Sequence, residues 1–316
     1  MQDTIHLENS PLAPQPKRRR GSQRRPRKNL MAYGLILPSL VFLLAIVVYP
    51  LGVGLLEGFR YHNRLQPWLT AFNGLDNFVQ AWGDNQVWLA LKTSFVMVVG
   101  IVVVSYALGL VAGLLLNHKF RFRGVYRALI LVPWVVPPVV SFISWQWMLN
   151  DQSGMINQVL SELGLIDEPI LWLANSKLAM VSLIIVGVWS RFPFMMITIL
   201  AALSSIPDDV TEAASIDGAN RFQIFRHVTF PMILPVSVIA TLLQAIWTFN
   251  DFALPFVLTG GGPANSTTPL ILLSYKEAFQ RFNIGYGTSL AIISMVLMLA
   301  LGAVYLRMQR REGVYE

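Results

Sequence analysis

Cysteine is absent from this 316-residue chain. That excludes a disulfide framework, a thiolate metal site and a cysteine nucleophile together. Charge is scarce too: Asp, Glu, Lys and Arg make up 13% of residues against 54% hydrophobic, and the mean hydropathy is +0.54. A soluble domain of this length carries far more polar surface. No G-x-x-x-x-G-K-[ST] run occurs, so no loop of this chain is built to cradle nucleotide phosphates. The four histidines (His6, His62, His118, His227) are scattered over tail and loops and form no metal set. There is no internal repeat and no second soluble domain. A net charge of +7 can suit nucleic acid, but eight of the 24 Lys and Arg lie between Lys17 and Lys28, just ahead of the first apolar run. A basic run there reads as a topogenic signal at an anionic membrane surface.

What the chain has in abundance is long apolar runs. Six can be marked by their bounding charges, at about 30–56, 93–116, 128–149, 178–203, 228–259 and 285–306. Each is long enough for the roughly 20 helical residues that cross a bilayer at about 1.5 Å per residue. Spanning strands need strict alternation, which is missing, so the expected class is all-α, a six-helix polytopic membrane protein. The first run is too long for a cleaved signal peptide and lacks a small-residue cleavage site. Prolines punctuate the spans, at Pro38, Pro50, Pro133, Pro137, Pro138, Pro193, Pro231, Pro235 and Pro255, which suits helices bent around a pathway. The expected organisation is a basic tail 1–29, a permeation domain 30–310 and a short tail 311–316.

Orientation follows from the basic residues. With the N-terminus inside, 17 Lys and Arg are cytoplasmic and six are outside, the latter being Arg60, Arg64, Lys92, Lys177, Lys276 and Arg281, while Arg191 lies within the fourth span. The positive-inside rule therefore places both termini and the 204–227 loop in the cytoplasm. In that loop Asp208 or Asp209 can cap a short helix. Val210, Ala213, Ala214 and Asp217 then share one face, and Gly218 can take φ > 0 to turn the chain. Phe222 and Phe225 follow on a second helical turn.

Glu212-Ala213-Ala214, three residues, Gly218, nine residues and Val228-Thr229-Phe230-Pro231 resemble the EAA loop of binding-protein-dependent ABC importer permeases. Val228 and Phe230 replace the family's Ile and Leu. Phe72-Asn73-Gly74-Leu75-Asp76-Asn77-Phe78, Trp189-x-x-x-Pro193-Phe194 and Leu258-Thr259-Gly260-Gly261-Gly262-Pro263 look like the carbohydrate-importing branch, similar to the first subunits of maltose and glycerol-3-phosphate permeases. The resemblance covers residues 30–310 and implies a type I importer permease fold in a bacterial inner membrane. It implies coupling to an ATPase through Glu212, Ala213, Ala214, Asp217, Gly218, Ala219, Phe222 and Pro231. It also implies as partners a second homologous permease, two ATP-binding subunits, an extracytoplasmic binding protein, a sugar-class solute and membrane lipid. The chain is then not an enzyme and holds no cofactor, ATP and magnesium being bound by the ATPase.

Two charges stand alone inside the spans, where an unpaired ionisable group costs several kcal/mol. Arg191 is expected about 20 Å along the fourth helix from its outer end, and Asp251 about 10 Å in from the outer end of the fifth. Gln244, Trp247, Thr248 and Asp251 recur at i, i+3, i+4 and i+7, so one helix face is expected to carry all four. Polar groups beside aromatics suit sugar hydroxyls and apolar sugar faces. The resemblance implies solute contacts at Gly187, Ser190, Arg191 and Phe194, with Gln244, Trp247 and Thr248. The maltose-type protein carries a small residue where Arg191 stands. The competing reading is that Arg191 and Asp251 neutralise one another. Trp145 and Trp147 are expected in an interfacial aromatic belt. A stand-alone secondary transporter leaves the 204–227 loop unexplained, and a membrane-embedded enzyme lacks clustered catalytic groups.

Overall fold

The computed structural model describes residues 30–312; the basic tail 1–29 and residues 313–316 lie outside the described residues. The described residues fall into two units, 30–51 and 52–312. Helix α1 (Leu30–Leu43) comes first, a π-turn follows at Leu44–Val48, and α2 (Tyr49–Glu57) is next in the chain. Tyr49 N–H bonds to Leu44 O, five residues back. Such a widened turn spares Pro50 the clash its ring would make with a carbonyl in regular α geometry.

After α2 come a hairpin, β1 (Arg60–Tyr61) paired antiparallel with β2 (Ala71–Phe72), and a short helix, α3 (Asp76–Gly83). The Asn77 amide donates to Gly58 O and Arg60 O at 2.9 Å and ties the two together. Helix α4 (Asn85–Asn117) starts where the Asp84 carboxylate accepts from Gln86 N–H, the N-cap bond that satisfies a free donor. Next come α5 (Arg123–Val135), α6 (Pro138–Met148), α7 (Met155–Glu162) and α8 (Ser176–Ser204), the last capped by Asn175 through Lys177 N–H and Leu178 N–H. The 204–227 loop forms α9 (Asp208–Ile216) and α10 (Arg221–Ile224). A π-turn at Phe225–Thr229 then leads into α11 (Phe230–Phe249). That π-turn sits two residues before Pro231, as the first sits before Pro50. Last come α12 (Ala253–Thr259), α13 (Leu270–Tyr275), a π-turn at Lys276–Gln280 and α14 (Ile284–Glu312). Tyr286 O–H donates to Asp84 at 2.8 Å, and Ser94 Oγ accepts from Leu270 N–H at 2.9 Å, joining the α4 end to the α13–α14 region. Nearby, burial pushes the Glu277 carboxyl above the usual carboxylate range against the pull of Arg281.

Among the described residues, five helical runs are long and apolar enough to cross a membrane: Leu35–Glu57, Asn85–Asn117, Ser176–Ser204, Arg221–Phe249 and Ile284–Ala303. The third expected span, 128–149, is instead α5 and α6, bent by 91°. Pro137 causes the break: Val136 before it is extended (φ −67°, ψ 136°), as a residue preceding proline must tend to be, and Pro138 restarts the helix at its first turn. The fifth expected span, 228–259, also divides. Its helix stops at Phe249, so Asp251 lies in the link before α12 and not on the helix. Capping of α9 differs as well: Pro207 holds the N-cap without a side-chain bond, and Asp208 and Asp209 stand in the first turn, where they complement the helix dipole.

Packing centres on α4 against α8. Ser94, Met97, Ile101, Ser105, Gly109, Gly113 and Leu116 form the buried stripe of α4, recurring at the three-to-four-residue spacing of one helix face. Glycine permits the approach: a Cβ on Gly109 would lie 2.6 Å from Met195 Cβ and 2.9 Å from Met196 N. Gly109→Leu is therefore expected to force the helices apart and lower subunit stability by about 1–3 kcal/mol. Gly124→Leu, with nothing within 4 Å of the added Cβ, is the control. Thermal inactivation of the purified complex reads the difference; equal midpoints contradict this packing.

Candidate functional site

The break at Val136–Pro137 and the break at Asn250–Phe252 meet across α8. Between them lies a cavity of about 400 Å³ lined by Pro133, Trp134, Val136, Pro138, Ser141, Phe142, Ser190, Arg191, Trp247, Asn250, Asp251 and Ala253. Arg191, mostly buried, forms an ion pair with Asp251. Its Nη1 also donates to Ser190 Oγ (3.1 Å) and Gly187 O (3.3 Å). The second Asp251 oxygen, Oδ1, accepts from Leu254 N–H at 3.1 Å and so caps α12. Had α11 run on to Thr259, the carboxylate would have stood a turn or two away from the guanidinium. Ending the helix at Phe249 brings them together.

Trp134 and Trp247 line one side. Phe194 is outside the lining and packs behind it, edge-on to Trp247 at 5.0 Å between centroids and tilted against Trp134 at 6.3 Å. Trp134 belongs to the third span, which the sequence motifs did not single out; the prolines beside it gave no clear signal, since Pro133 sits inside α5 and only Pro137 ends it. Trp145 is not a free belt residue, for its ring packs on Trp189 at 5.5 Å, whereas Trp147 is exposed.

The residues expected to share one face of the fifth helix divide in two. Trp247 is 48% exposed and reaches the cavity, while Gln244 and Thr248 are 0% exposed and are absent from its lining. They turn into the packed side of α11, which meets α4 and α8. Neither the Gln244 amide nor the Thr248 hydroxyl has a hydrogen-bond partner among the described residues. Gly187 is likewise a packing position. A Cβ there would come 2.4 Å from Ile101 Cδ1 and 3.1 Å from Leu254 Cδ2, so its glycine lets α4 and α12 close on α8.

The 204–227 loop forms a second site. Gly218 takes φ +83° with open space around it, and the turn it makes joins α9 to α10. Asn220 then caps α10 in a reciprocal capping box with Gln223, a device whose N-x-x-Q signal was present in the sequence but not singled out. Glu212, Ala213, Asp217, Gly218 and Phe222 are exposed, Ala214 and Ala219 are half-buried, and Pro231 is exposed two residues past the π-turn. Ile216 is 85% exposed and Phe222 68%. Both are large apolar side chains left uncovered on a polar loop. Ile216 is the contact candidate that the loop pattern alone did not reveal.

Breaking a buried ion pair from one side strands the other charge, at a cost of about 3–5 kcal/mol. Arg191→Ala should therefore reduce assembly of the subunit, and Arg191→Ala with Asp251→Asn should recover assembly but not transport. Co-purification yield and reconstituted uptake measure the two effects separately. Recovery of uptake by the double variant would make the pair a packing device with no contact to solute.

Residues 105–313 match the family described as binding-protein-dependent transport system inner membrane component. A trehalose/maltose transport system permease protein, MalF, of Thermococcus litoralis is 35% identical over 292 residues, covering 90% of this chain and 95% of that protein. The sulfoquinovosyl glycerol transport system permease protein SmoG of Agrobacterium fabrum is 30% identical over 283 residues, covering 90% and 91%. Among solved structures, a bacterial ABC transporter involved in import of the acidic polysaccharide alginate superposes with a TM-score of 0.77 at 22% identity, over 91% of this chain and 96% of that one. The fold is that of a type I ABC importer permease, and the chain belongs to the binding-protein-dependent transport system inner membrane component family.

Proposed function

We propose that this permease subunit carries a sugar or sugar-derived solute through the cavity bounded by Trp134, Arg191, Trp247 and Asp251. The observation that carries the reading is that cavity: a paired cation and anion beside the rings of Trp134 and Trp247, the chemistry that takes up hydroxyls and apolar ring faces. The names of the relatives, trehalose/maltose and sulfoquinovosyl glycerol transport, favour the same class. The remaining assembly consists of a second related permease, two ATP-binding subunits and an extracytoplasmic binding protein that delivers the solute. ATP and magnesium belong to those subunits, and this chain adds no cofactor.

Coupling runs through the 204–227 loop. Ala213 and Ala214 allow close approach, Glu212 and Asp217 offer acceptors, and Ile216 and Phe222 supply apolar anchors. Closure of the ATPase pulls on this element. The helix from Arg221 to Phe249, which starts in the loop and ends at the cavity, transmits the pull and reorients the bundle, alternating access by rigid-body rocking. Gly218→Val should uncouple ATP hydrolysis from uptake with the subunit still assembled, because a β-branched residue resists φ +83° at a cost of about 1–2 kcal/mol. Glu212→Lys should do the same by inverting a contact charge. Solute-stimulated hydrolysis and uptake, both normal in both variants, would remove the loop from the coupling path.

In this reading both termini lie in the cytoplasm, as the distribution of basic residues favours. A cysteine at Gln23, in the tail outside the described residues, or at Gln309 should resist an impermeant thiol reagent in intact cells, while one at Asn265 should label. The reverse pattern would put the loop out of reach of an ATPase.

A further inference from the structure

The cargoes named for similar proteins differ in charge class, trehalose/maltose for one and an acidic polysaccharide for another. The cavity of this chain bears on that difference. Of the twelve residues that line it, the charged ones are Arg191 and Asp251, and they are spent on one another. Arg191 is held at three acceptors, Asp251, Ser190 Oγ and Gly187 O. Asp251 is fixed from the other side, since its second oxygen caps α12 at Leu254 N–H. An entering anion would have to displace a carboxylate that cannot swing away without uncapping that helix, and would meet its repulsion at a few ångströms in a partly buried site. A hydroxyl meets no such barrier. It can accept from a guanidinium N–H and donate to a carboxylate oxygen at once, with no net charge of its own.

We propose that the Arg191–Asp251 pair sets the charge class of the solute: the cavity takes an uncharged polyhydroxylated molecule, and Asp251 is the residue that excludes anions. This rests on the cavity being the solute site. Arg191 by itself reads as an anion receptor; with Asp251 locked beside it, the two act as a neutral donor–acceptor couple. Trp134 and Trp247, which line the cavity, supply the apolar faces against which a sugar ring lies.

The absence of cysteine makes the local charge measurable. In the assembled complex, Asn250→Cys places a thiol in the cavity lining. Its reaction rates with methanethiosulfonates carrying a sulfonate or an ammonium group are read from adduct mass on this chain and divided by the same rates for 2-mercaptoethanol. With both charges present the two normalised rates should agree within about threefold. Adding Asp251→Asn, which keeps an oxygen to cap Leu254, should favour the sulfonate reagent by about tenfold; adding Arg191→Gln should favour the ammonium reagent by about as much. A tenfold sulfonate preference with both residues in place, or no change on Asp251→Asn, overturns the charge assignment. Protection of the thiol from the uncharged methyl reagent then tests the cargo, with glucose, trehalose and sorbitol set against glucuronate and glucose 6-phosphate. Uncharged compounds should protect the parent, and glucuronate should begin to protect once Asp251 is Asn. Protection of the parent by glucuronate or glucose 6-phosphate overturns the proposal. Failure of every compound to protect, with the rate ratios as expected, overturns instead the reading of the cavity as the solute site, and the inference about cargo falls with it.

Discussion

A guanidinium and a carboxylate leave water at a tolerable cost only when they leave it together, and the arrangement around Arg191 and Asp251 follows from that constraint. For the pair to form, α11 must end at Phe249 so that Asp251 is free to turn toward α8. The released chain must then find a new helix start, and Asp251 caps it at Leu254. Gly187, whose lack of a side chain admits Ile101 and Leu254, also gives its carbonyl to Arg191. On the facing side the break at Pro137 swings α6 away from α5 by 91° and exposes Trp134 to the same space. One broken span, and a second that ends at Phe249 short of α12, around the unbroken helix α8 make a cavity that straight rods would not leave.

Broken helices at this depth require that released backbone groups find partners inside the protein. Here the remedies differ. Pro50 and Pro231 follow π-turns that relieve the ring clash within a continuing helix, whereas Pro137 and Pro138 end one helix and begin another. The first kind preserves mechanical continuity. Because the turn before Pro231 holds, one helical run extends from Arg221 in the 204–227 loop to Phe249 at the cavity. The proposed coupling depends on that continuity, since it needs the loop and the cavity at opposite ends of one body.

Much of this was legible in the residues, and the parts that were not have physical reasons. Apolar runs declare themselves because the bilayer demands about 20 residues without charge, and the loop turn declared itself because Gly218 stands where φ must be positive. Proline breaks were illegible: Pro38 and Pro193 sit inside continuous helices, Pro137 ends one, and neighbours decide between the outcomes. Helical period placed Gln244, Trp247 and Thr248 in one quadrant but did not say which edge turned inward. Tertiary packing sent the tryptophan to the cavity and the two polar residues into the core. The depth estimate that held Arg191 and Asp251 about 10 Å apart failed because it assumed 1.5 Å of rise per residue beyond the point where the helix had ended.

The most direct test of the coupling account is a pair of distances in the reconstituted transporter. Spin labels on Gln223→Cys and Asn250→Cys bracket the helix that joins loop to cavity, and at 1.5 Å per residue they should lie about 40 Å apart. That distance should hold within about 2 Å through the ATP cycle, while the distance from position 250 to a label at Val136 changes by several ångströms. A 223–250 distance that shortens on ATP binding, or a 136–250 distance that stays constant while solute is transported, would contradict a rigid helix driving the opening and closing of the site.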